Sequence, residues 1–321
     1  MRWRMNKDIL IAEISGKRPG TFKQRPTERF ITQYDKVIIS NNSEGYTTDW
    51  KIVNVPDDYK EWYINNIKSS DNAWYAPMNR SYAIKYAREH GYKYLVQLDD
   101  NIDKLEISYF DGKSNVKKRF RYVTNTETSL IDEYIEAFKV VLDNTNACMV
   151  GCSLTGISEP DMLFLSERYC YSIFALKLDV CPDVFQGDFE DDVEYRLKCA
   201  QKGYPVVQIS PLKYGKVGQA KNKDLSGCRA EYAKQGIKRG EHMSLLYGDK
   251  YSCKMSKYGH HTKAKPDDEA VNFKHTLKPF KVGVVIYNQE PINNLMKSLF
   301  QKYATHKEDK CIIKERCRKI K

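Results

Sequence analysis

Short apolar runs alternate with segments of helical periodicity along the first 210 residues of the chain. The runs that predict buried strands are residues 8–15, 36–40, 50–55, 92–98, 147–152, 169–178 and 204–209. Apolar positions at helical spacing predict helices at residues 79–90, 129–141 and 191–203, and Gly91 and Gly203 supply helix ends. This alternation predicts an α/β fold with a mixed, mostly parallel sheet flanked by helices.

The pattern weakens after Lys213, where the chain becomes rich in Gly, Lys and Tyr. A short helix at residues 226–234 and a late strand at residues 282–287 are the clearest elements there. The last twenty residues are basic and are predicted to be helical. We therefore predict one core over residues 1–224 and a basic C-terminal extension or subdomain over residues 225–321, which contributes to acceptor binding.

Composition narrows the class of protein. The 321 residues are 41% hydrophobic, so the chain is globular rather than disordered. Lys and Arg exceed Asp and Glu by 53 − 42 = 11, which allows a polyanionic partner without naming one. No run reaches the roughly 18 apolar residues of a membrane-spanning helix, and no apolar leader follows the first residues. Nine cysteines without a CxxC pair indicate free thiols in a reducing cytoplasm.

An acidic cluster follows the buried run at residues 92–98. It consists of Asp99, Asp100, Asn101 and Asp103. Neighbouring carboxylates repel one another unless water or a cation neutralises them, and Mg²⁺ or Mn²⁺ beside substrate phosphates is a frequent solution. A solvated acidic turn is the alternative interpretation of this spacing.

A second acidic cluster, GDFEDDVE, lies at the predicted start of the helix at residues 191–203. Carboxylates are ordinary at a helix amino end, because they meet free N–H groups and the positive end of the dipole. The favourable helix end does not explain why two such clusters occur in one basic chain. A metal–nucleotide site with a nearby carboxylate base needs this arrangement.

These segments resemble a known family. YLVQLDDNI is similar to the D-x-D segment of nucleotide-sugar glycosyltransferases with the GT-A, Rossmann-like fold. FEDDVEYRLKCAQKGYPVV resembles their later acidic helix start, and MNRSYAIKYAREHGYKYLVQLDD resembles the helix that precedes D-x-D. The matches cover most of residues 8–210 in the right order. Within that superfamily the chain most resembles the phage-encoded TET-associated glycosyltransferases, which implies sugar transfer to hydroxymethylated pyrimidines in DNA.

The resemblance implies a set of donor-binding residues. The loop GKRPGT resembles the one that wraps the nucleotide, and Asp99 matches the first D-x-D carboxylate, which contacts the sugar nucleotide. A UDP-sugar is the expected donor. The implied donor-binding residues are Arg18, Pro19, Thr21, Asn79, Arg80 and Asp99.

The resemblance also implies a bound Mn²⁺ or Mg²⁺. Asn101 stands where the last D-x-D aspartate usually ligates the metal, and its amide oxygen is a weaker, neutral ligand. Asp100 or Asp103 is therefore expected to take that role, or the metal binds weakly. Family members often add a late histidine, for which His260 and His261 are the candidates; a pair of surface histidines is the alternative.

The register of the expected catalytic base is ambiguous. The acidic pair of the family corresponds to Glu190 and Asp191 or to Asp191 and Asp192. Asp191 belongs to both registers, so we predict it as the general base, with Asp192 second. The stereochemical outcome stays open.

Three interpretations of the function remain, and they differ in the partner that the chain binds. Basic runs at residues 117–122, 213–223 and 302–321 suit a DNA backbone, although each also fits a solvated surface. A glycosyltransferase acting on a surface polysaccharide is the second interpretation. The third is a non-catalytic nucleic-acid-binding protein on a degenerate transferase scaffold, which Asn101 keeps open. We thus expect a nucleotide-sugar donor and an acceptor that is DNA or a polysaccharide. We expect no membrane partner, and the sequence leaves the oligomeric state undefined.

Overall fold

A computed structural model describes residues 8–20, 23, 25–67, 75–110, 120–125, 130–155, 164–186, 191–217, 252–255, 273–276 and 282–303 of the chain. Four predicted site residues lie outside the described residues: Thr21, Glu190, His260 and His261. The predicted helix at residues 226–234, the boundary after residue 224 and most of the basic C-terminal run also lie outside them.

Strands and helices follow one another in the order that the sequence pattern predicts for the first half of the chain. The strands are β1 (Ile9–Ser15), β2 (Asp35–Ser40), β3 (Lys51–Asn54), β4 (Tyr94–Asp99), β5 (Ile102–Phe110), β6 (Phe120–Asn125), β7 (Met149–Leu154), β8 (Leu165–Glu167), β9 (Ile173–Lys177), β10 (Val206–Lys216), β11 (Ser252–Met255) and β12 (Phe273–Thr276). The helices are α1 (Asp57–Asn66), α2 (Tyr75–Glu89), α3 (Leu130–Asn144), α4 (Asp191–Gln201) and α5 (Gln289–Tyr303), with a 3-10 helix at Pro26–Arg29.

One mixed sheet organises the described part of the chain. Its strand order is β3-β2-β1-β4-β9-β7-β10-β5-β6, and β8 pairs with β10 as a tenth strand. Strands β2, β3, β4, β6, β7 and β10 run in the same direction as β1, while β5, β8 and β9 run in the opposite direction. The sheet is therefore mostly parallel, as predicted, and is consistent with a Rossmann-like glycosyltransferase fold.

Helices cover both faces of the sheet. Ile9 and Ile11 of β1 pack in one core with the apolar faces of α3 and α5. Leu10 and Ala12 point to the other face, where they pack with α1, α2 and α4. Because both faces of the central strands are buried, β1 and β4 are almost continuously apolar instead of alternating with polar residues.

Several element boundaries differ from the sequence prediction. Helix α2 begins at Tyr75, one turn before the predicted start, because Pro77 is tolerated in a first turn, where its missing N–H has no partner to lose. Residues 282–287 form no strand; they run beside the end of α3, where Val285 and Asn146 exchange hydrogen bonds of 2.8 and 3.1 Å. Helix α1 and the strands β5, β6, β8, β11 and β12 were not predicted.

Two expectations from composition can be compared with the described residues. The cysteines there, Cys148, Cys152, Cys170, Cys181 and Cys199, are free and buried. None of the helices in this part of the chain is both long and apolar enough to cross a membrane.

Candidate active site

Two consecutive aspartates at the carboxyl end of β4 face opposite sides of the sheet. Side chains alternate along a strand, so Asp99 points toward α2 and Asp100 points toward the face that α3 covers. Crevices beyond the carboxyl ends of strands are where open α/β sheets bind ligands. The first predicted acidic cluster therefore divides into two different polar environments.

Asp99 is held by two cations. Arg80 Nη2 of α2 donates to Asp99 Oδ1 over 2.6 Å, and Lys216 Nζ of β10 donates to Asp99 Oδ2 over 2.6 Å. Burial would raise the pKa of Asp99, but Lys216 and Arg80 outweigh it and hold that pKa well below its ordinary value. Asp99 is consequently a fixed negative charge at any physiological pH.

The irregular end of β10 places Lys216 beside Asp99. The register between β10 and β5 shifts between Gly215 and Lys216: Gly215 pairs with Lys104 and Lys216 pairs with Ile102, which leaves Asp103 of β5 as the extra residue. A bulge of this kind disrupts the ladder locally and increases the twist of the strands. A side chain at Gly215 would meet Lys104 and, at 2.9 Å, Asp103 Oδ1, so the strand approaches β5 closely at this point.

Arg80 joins the two acidic clusters. Its Nε atom lies 3.0 Å from Asp191 Oδ2, while its Nη1 atom donates to Gln97 Oε1 over 3.2 Å. Its guanidinium carbon lies 5.3 Å from the ring centre of Phe174 and 5.8 Å from that of Phe185, so aromatic faces enclose the cation. The donor-binding role of Arg80 stays a prediction, and in the structure its guanidinium pairs with the carboxylates of Asp99 and Asp191.

Asp191 is the first residue of α4 and lies partly buried beside Arg80. Burial raises the pKa of Asp191 above its ordinary value, Arg80 opposes that rise, and the charge of Asp99 adds to it. Asp191 Oδ2 receives no hydrogen bond from the residues that the structure describes. The next residue, Asp192, accepts a hydrogen bond of 2.8 Å from the Val193 amide in the first turn of α4.

Asp100 is paired on the opposite face of the sheet. Its Oδ1 atom accepts from Arg18 Nη1 over 2.5 Å, and its Oδ2 atom accepts from Ser15 Oγ over 2.7 Å. Burial nevertheless raises the pKa of Asp100, because Arg18 and Ser15 compensate only in part and Asp99 lies close. Both oxygen atoms of this predicted metal ligand therefore already have protein partners.

The loop after β1, which carries Arg18 and Pro19, packs against the loop between β2 and β3. Gly20 N donates to Gly45 O over 2.8 Å, and Gly20 O accepts from Thr47 N over 2.9 Å. Gly45 adopts a φ of +75°, and a side chain there would lie 2.9 Å from Pro19 Cβ. Glycine at position 45 therefore meets both a backbone and a packing requirement.

Asn79 lies between the two loops. Its Nδ2 atom donates to Ser15 O over 3.0 Å and to Asn41 Oδ1 over 3.2 Å. Its Oδ1 atom is buried and accepts no hydrogen bond within the described part of the protein. This amide oxygen is the kind of group that a hydroxyl or amide of a bound ligand would satisfy.

Just after β4, the Oδ1 atoms of Asn101 and Asp103 are also buried without a hydrogen-bond partner among the described residues. Oxygen donors of this type suit Mg²⁺ or Mn²⁺. No group of three or more His, Cys, Asp or Glu side chains within the described ranges could hold a metal alone. These residues therefore fit a cation that also takes ligands from the phosphates of a substrate, which is the common arrangement for Mg²⁺.

Sequence reasoning missed Lys216, Ser15 and Tyr46. Lys216 is separated from Asp99 by 117 positions, and no spacing rule connects them. Ser15 is the last residue of the apolar run of β1, where a polar residue at the strand end could have been noticed. The hydroxyl of Tyr46 lies 2.9 Å from Ser15 Oγ and comes from a loop without a motif.

Comparison with known proteins agrees with this geometry. No curated protein sequence matches the chain. The sequence model of the TET-associated glycosyltransferase family matches residues 59–224, which are 166 of the 321 residues and include Arg80, Asp99, Asp191 and Lys216. A match over more than half of the length, on a Rossmann-like sheet with acidic residues at its carboxyl edge, shows that the chain belongs to the TET-associated glycosyltransferase family, and it is a glycosyltransferase.

Proposed function

We propose that this glycosyltransferase uses a nucleotide-sugar donor, with UDP as the nucleotide, and that Asp191 is its general base. The observation that carries the proposal is the position of Asp191. It is partly buried at the amino end of α4, its buried Oδ2 atom receives no hydrogen bond from the described residues, and Arg80 lies between it and Asp99. A carboxylate with a raised pKa and an oxygen atom without a hydrogen bond is suited to accept a proton.

The proposed reaction is a direct displacement. Asp191 takes the proton of the acceptor hydroxyl as the hydroxyl oxygen forms a bond to the anomeric carbon of the sugar. The bond between that carbon and the phosphate oxygen breaks, and the nucleoside diphosphate leaves with the bonding electron pair. Lys216 and Arg18 pair with Asp99 and Asp100 at the carboxyl end of β4, where they would stabilise the negative charge of the leaving diphosphate.

Asn101 and Asp103 would hold the divalent cation, because their Oδ1 atoms are buried without a partner in the described part of the chain. When bound, Mn²⁺ or Mg²⁺ would neutralise negative charge on the diphosphate. Asp100 accepts hydrogen bonds from Arg18 and Ser15, so it would instead hold the Arg18 side chain on the other face of the sheet. His260 and His261 stay candidates for a further ligand.

The acceptor that we propose is a hydroxymethylated pyrimidine base in phage DNA, modified in the cytoplasm of the host cell. Support comes from the excess of 11 positive charges and from the likeness to phage-encoded members of the family. Cations bind the DNA backbone without reading sequence. A base in a duplex must turn out of the helix before its hydroxymethyl group can reach a buried carboxylate.

Donor use is tested by incubating the protein with Mn²⁺ and a panel of UDP-sugars and measuring released UDP. We expect turnover of one donor, and Asp191→Asn should abolish transfer while leaving UDP binding nearly unchanged. Asp183→Asn is the matched control, since Asp183 is 73% exposed and pairs with Arg88. No turnover with any divalent cation would contradict the choice of donor, and full activity of Asp191→Asn would remove Asp191 as the base.

The acceptor is tested separately by mass spectrometry of nucleosides from hydroxymethylated DNA treated with enzyme and donor. A sugar adduct on the modified pyrimidine is the expected result. An unchanged nucleoside profile together with transfer to a polysaccharide would overturn the DNA proposal and leave the transferase chemistry in place.

A further inference from the structure

Two side chains hold the backbone of Arg18, the residue whose guanidinium pairs with Asp100. The Arg18 N–H donates to the hydroxyl oxygen of Tyr46 over 3.2 Å. The Arg18 carbonyl oxygen accepts from Arg25 Nη1 over 2.5 Å. Arg18 is thus fixed at both of its peptide groups, while its side chain reaches Asp100.

The hydroxyl of Tyr46 also belongs to a hydrogen-bond chain with one consistent direction. Ser15 Oγ lies 2.9 Å from the Tyr46 hydroxyl and donates its only proton to Asp100 Oδ2 over 2.7 Å. Tyr46 must therefore donate to Ser15, because each hydroxyl has a single proton. The chain runs from the Arg18 amide through Tyr46 and Ser15 to the carboxylate, and aligned bonds of this kind strengthen one another.

The side chain of Arg25 also holds the loop after β1 in place. Its side chain is completely buried, and its guanidinium carbon lies 3.9 Å from the centre of the Tyr46 ring. Besides Arg18, it donates to Gly20 O over 3.0 Å and to the Glu28 carboxylate. Its Nε atom lies 3.9 Å from the buried carboxylate of Glu13. A single guanidinium thereby connects the loop after β1, the 3-10 helix and Tyr46.

We propose that Tyr46 and Arg25 are positioning residues for the donor site. They act through Arg18 and Ser15, and they hold the loop at residues 17–20 and the Asp100 carboxylate in the arrangement that receives the donor before it binds. The proposal rests on the proposed function in one respect, namely that this loop contacts the nucleotide-sugar.

Tyr46→Phe tests the proposal, because it removes the hydroxyl and keeps the ring under Arg25. Tyr92→Phe is the matched control: the hydroxyl of Tyr92 donates to Asp35 Oδ2 over 2.8 Å at the amino ends of the strands, away from the site. Without any ligand, hydrogen exchange in the peptide covering residues 15–20 should be about three- to tenfold faster in Tyr46→Phe, as expected for one lost hydrogen bond. Tyr92→Phe should not change exchange in that peptide.

A kinetic measurement separates positioning from general stability. The KM for the UDP-sugar should rise about three- to tenfold in Tyr46→Phe, kcat should change less than KM, and the melting temperature should match that of Tyr92→Phe. Arg25→Lys keeps a positive charge beside Glu13 and Glu28 but cannot reach the same carbonyl oxygens, so it should also accelerate exchange in residues 15–20.

Unchanged exchange in both Tyr46→Phe and Arg25→Lys would overturn the positioning role, whatever the activity. Unchanged KM in an active Tyr46→Phe enzyme would overturn its connection to the donor. Faster exchange in a protein whose wild type turns over no donor would confirm the positioning of the loop and refute the proposed function instead.

Discussion

Asp99 and Asp191 are held by the same guanidinium group, although one ends a strand and the other begins a helix. Arg80 lies 2.6 Å from Asp99 and 3.0 Å from Asp191. The two carboxylates differ in electrostatic environment, because Lys216 compensates Asp99 further. As a result the pKa of Asp99 is lowered and that of Asp191 is raised. Two acids whose pKa values move apart in this way are suited to different tasks.

The first prediction concerns the pH dependence of activity. If Asp191 is the base, activity requires its ionised form, and its pKa lies above the ordinary value of 3.8. We expect kcat/KM to fall as pH decreases, and the midpoint of this acid limb should lie above pH 3.8. A pH–rate profile with saturating acceptor measures this limb. A profile that stays flat down to pH 3.8 would contradict the assignment.

The second prediction concerns the stability of Asp191→Asn. A carboxyl with a raised pKa in the folded state stabilises the fold below its unfolded pKa and loses that contribution as pH rises through the folded pKa. The amide does not titrate, so the variant should gain stability relative to wild type as pH rises from 3.8 toward 7. Urea unfolding at several pH values measures the difference. A constant difference across that range would show that the pKa of Asp191 is not raised.

The third prediction concerns Lys216→Met. The lowered pKa of Asp99 stabilises the fold above the unfolded pKa of about 3.8, and this contribution is lost as pH falls toward the folded pKa. Removing Lys216 removes part of it, so the variant should lose more stability at pH 7 than at pH 3. Denaturant unfolding at both pH values measures this change. Equal losses would indicate that Lys216 acts by packing instead of by charge.

The fourth prediction compares two cations on α2. Arg80→Ala removes a buried cation from two partly buried carboxylates and should lower the free energy of unfolding by about 3 kcal/mol. Lys85→Ala is the control, since Lys85 forms an exposed ion pair with Glu89 and should change stability little. Guanidinium chloride unfolding of the two variants measures the difference. Equal effects would show that Arg80 does not organise the acidic residues.

The local pattern of the chain predicts the strand-end and helix-start acids but not their partners. Asp99 and Asp191 could be found because each follows a boundary that apolar spacing marks. The opposite direction of Asp100 follows from strand alternation, and could have been derived from Leu98, which is buried on the same face. Lys216 could not be found, because its position depends on a bulge and on the pairing of β10 with β5.

The same difference between local pattern and long-range partners explains where the predicted fold was wrong. The central strands β1 and β4 were predicted because strands buried on both faces are almost continuously apolar. The segment at residues 282–287 has the composition of a strand, but its neighbours are the end of α3 and Asn146, so its backbone groups find partners without a ladder.

The packing of α5 against α3 has a practical consequence for work with fragments. Ile292, Met296 and Leu299 share a core with Phe138 and Val141, across the boundary that composition suggests after residue 224. A recombinant fragment that stops at that boundary would leave the outer stripe of α3 open to water. Exposed apolar stripes promote self-association, so expression trials should keep residues 282–303 and judge solubility on the longer chain.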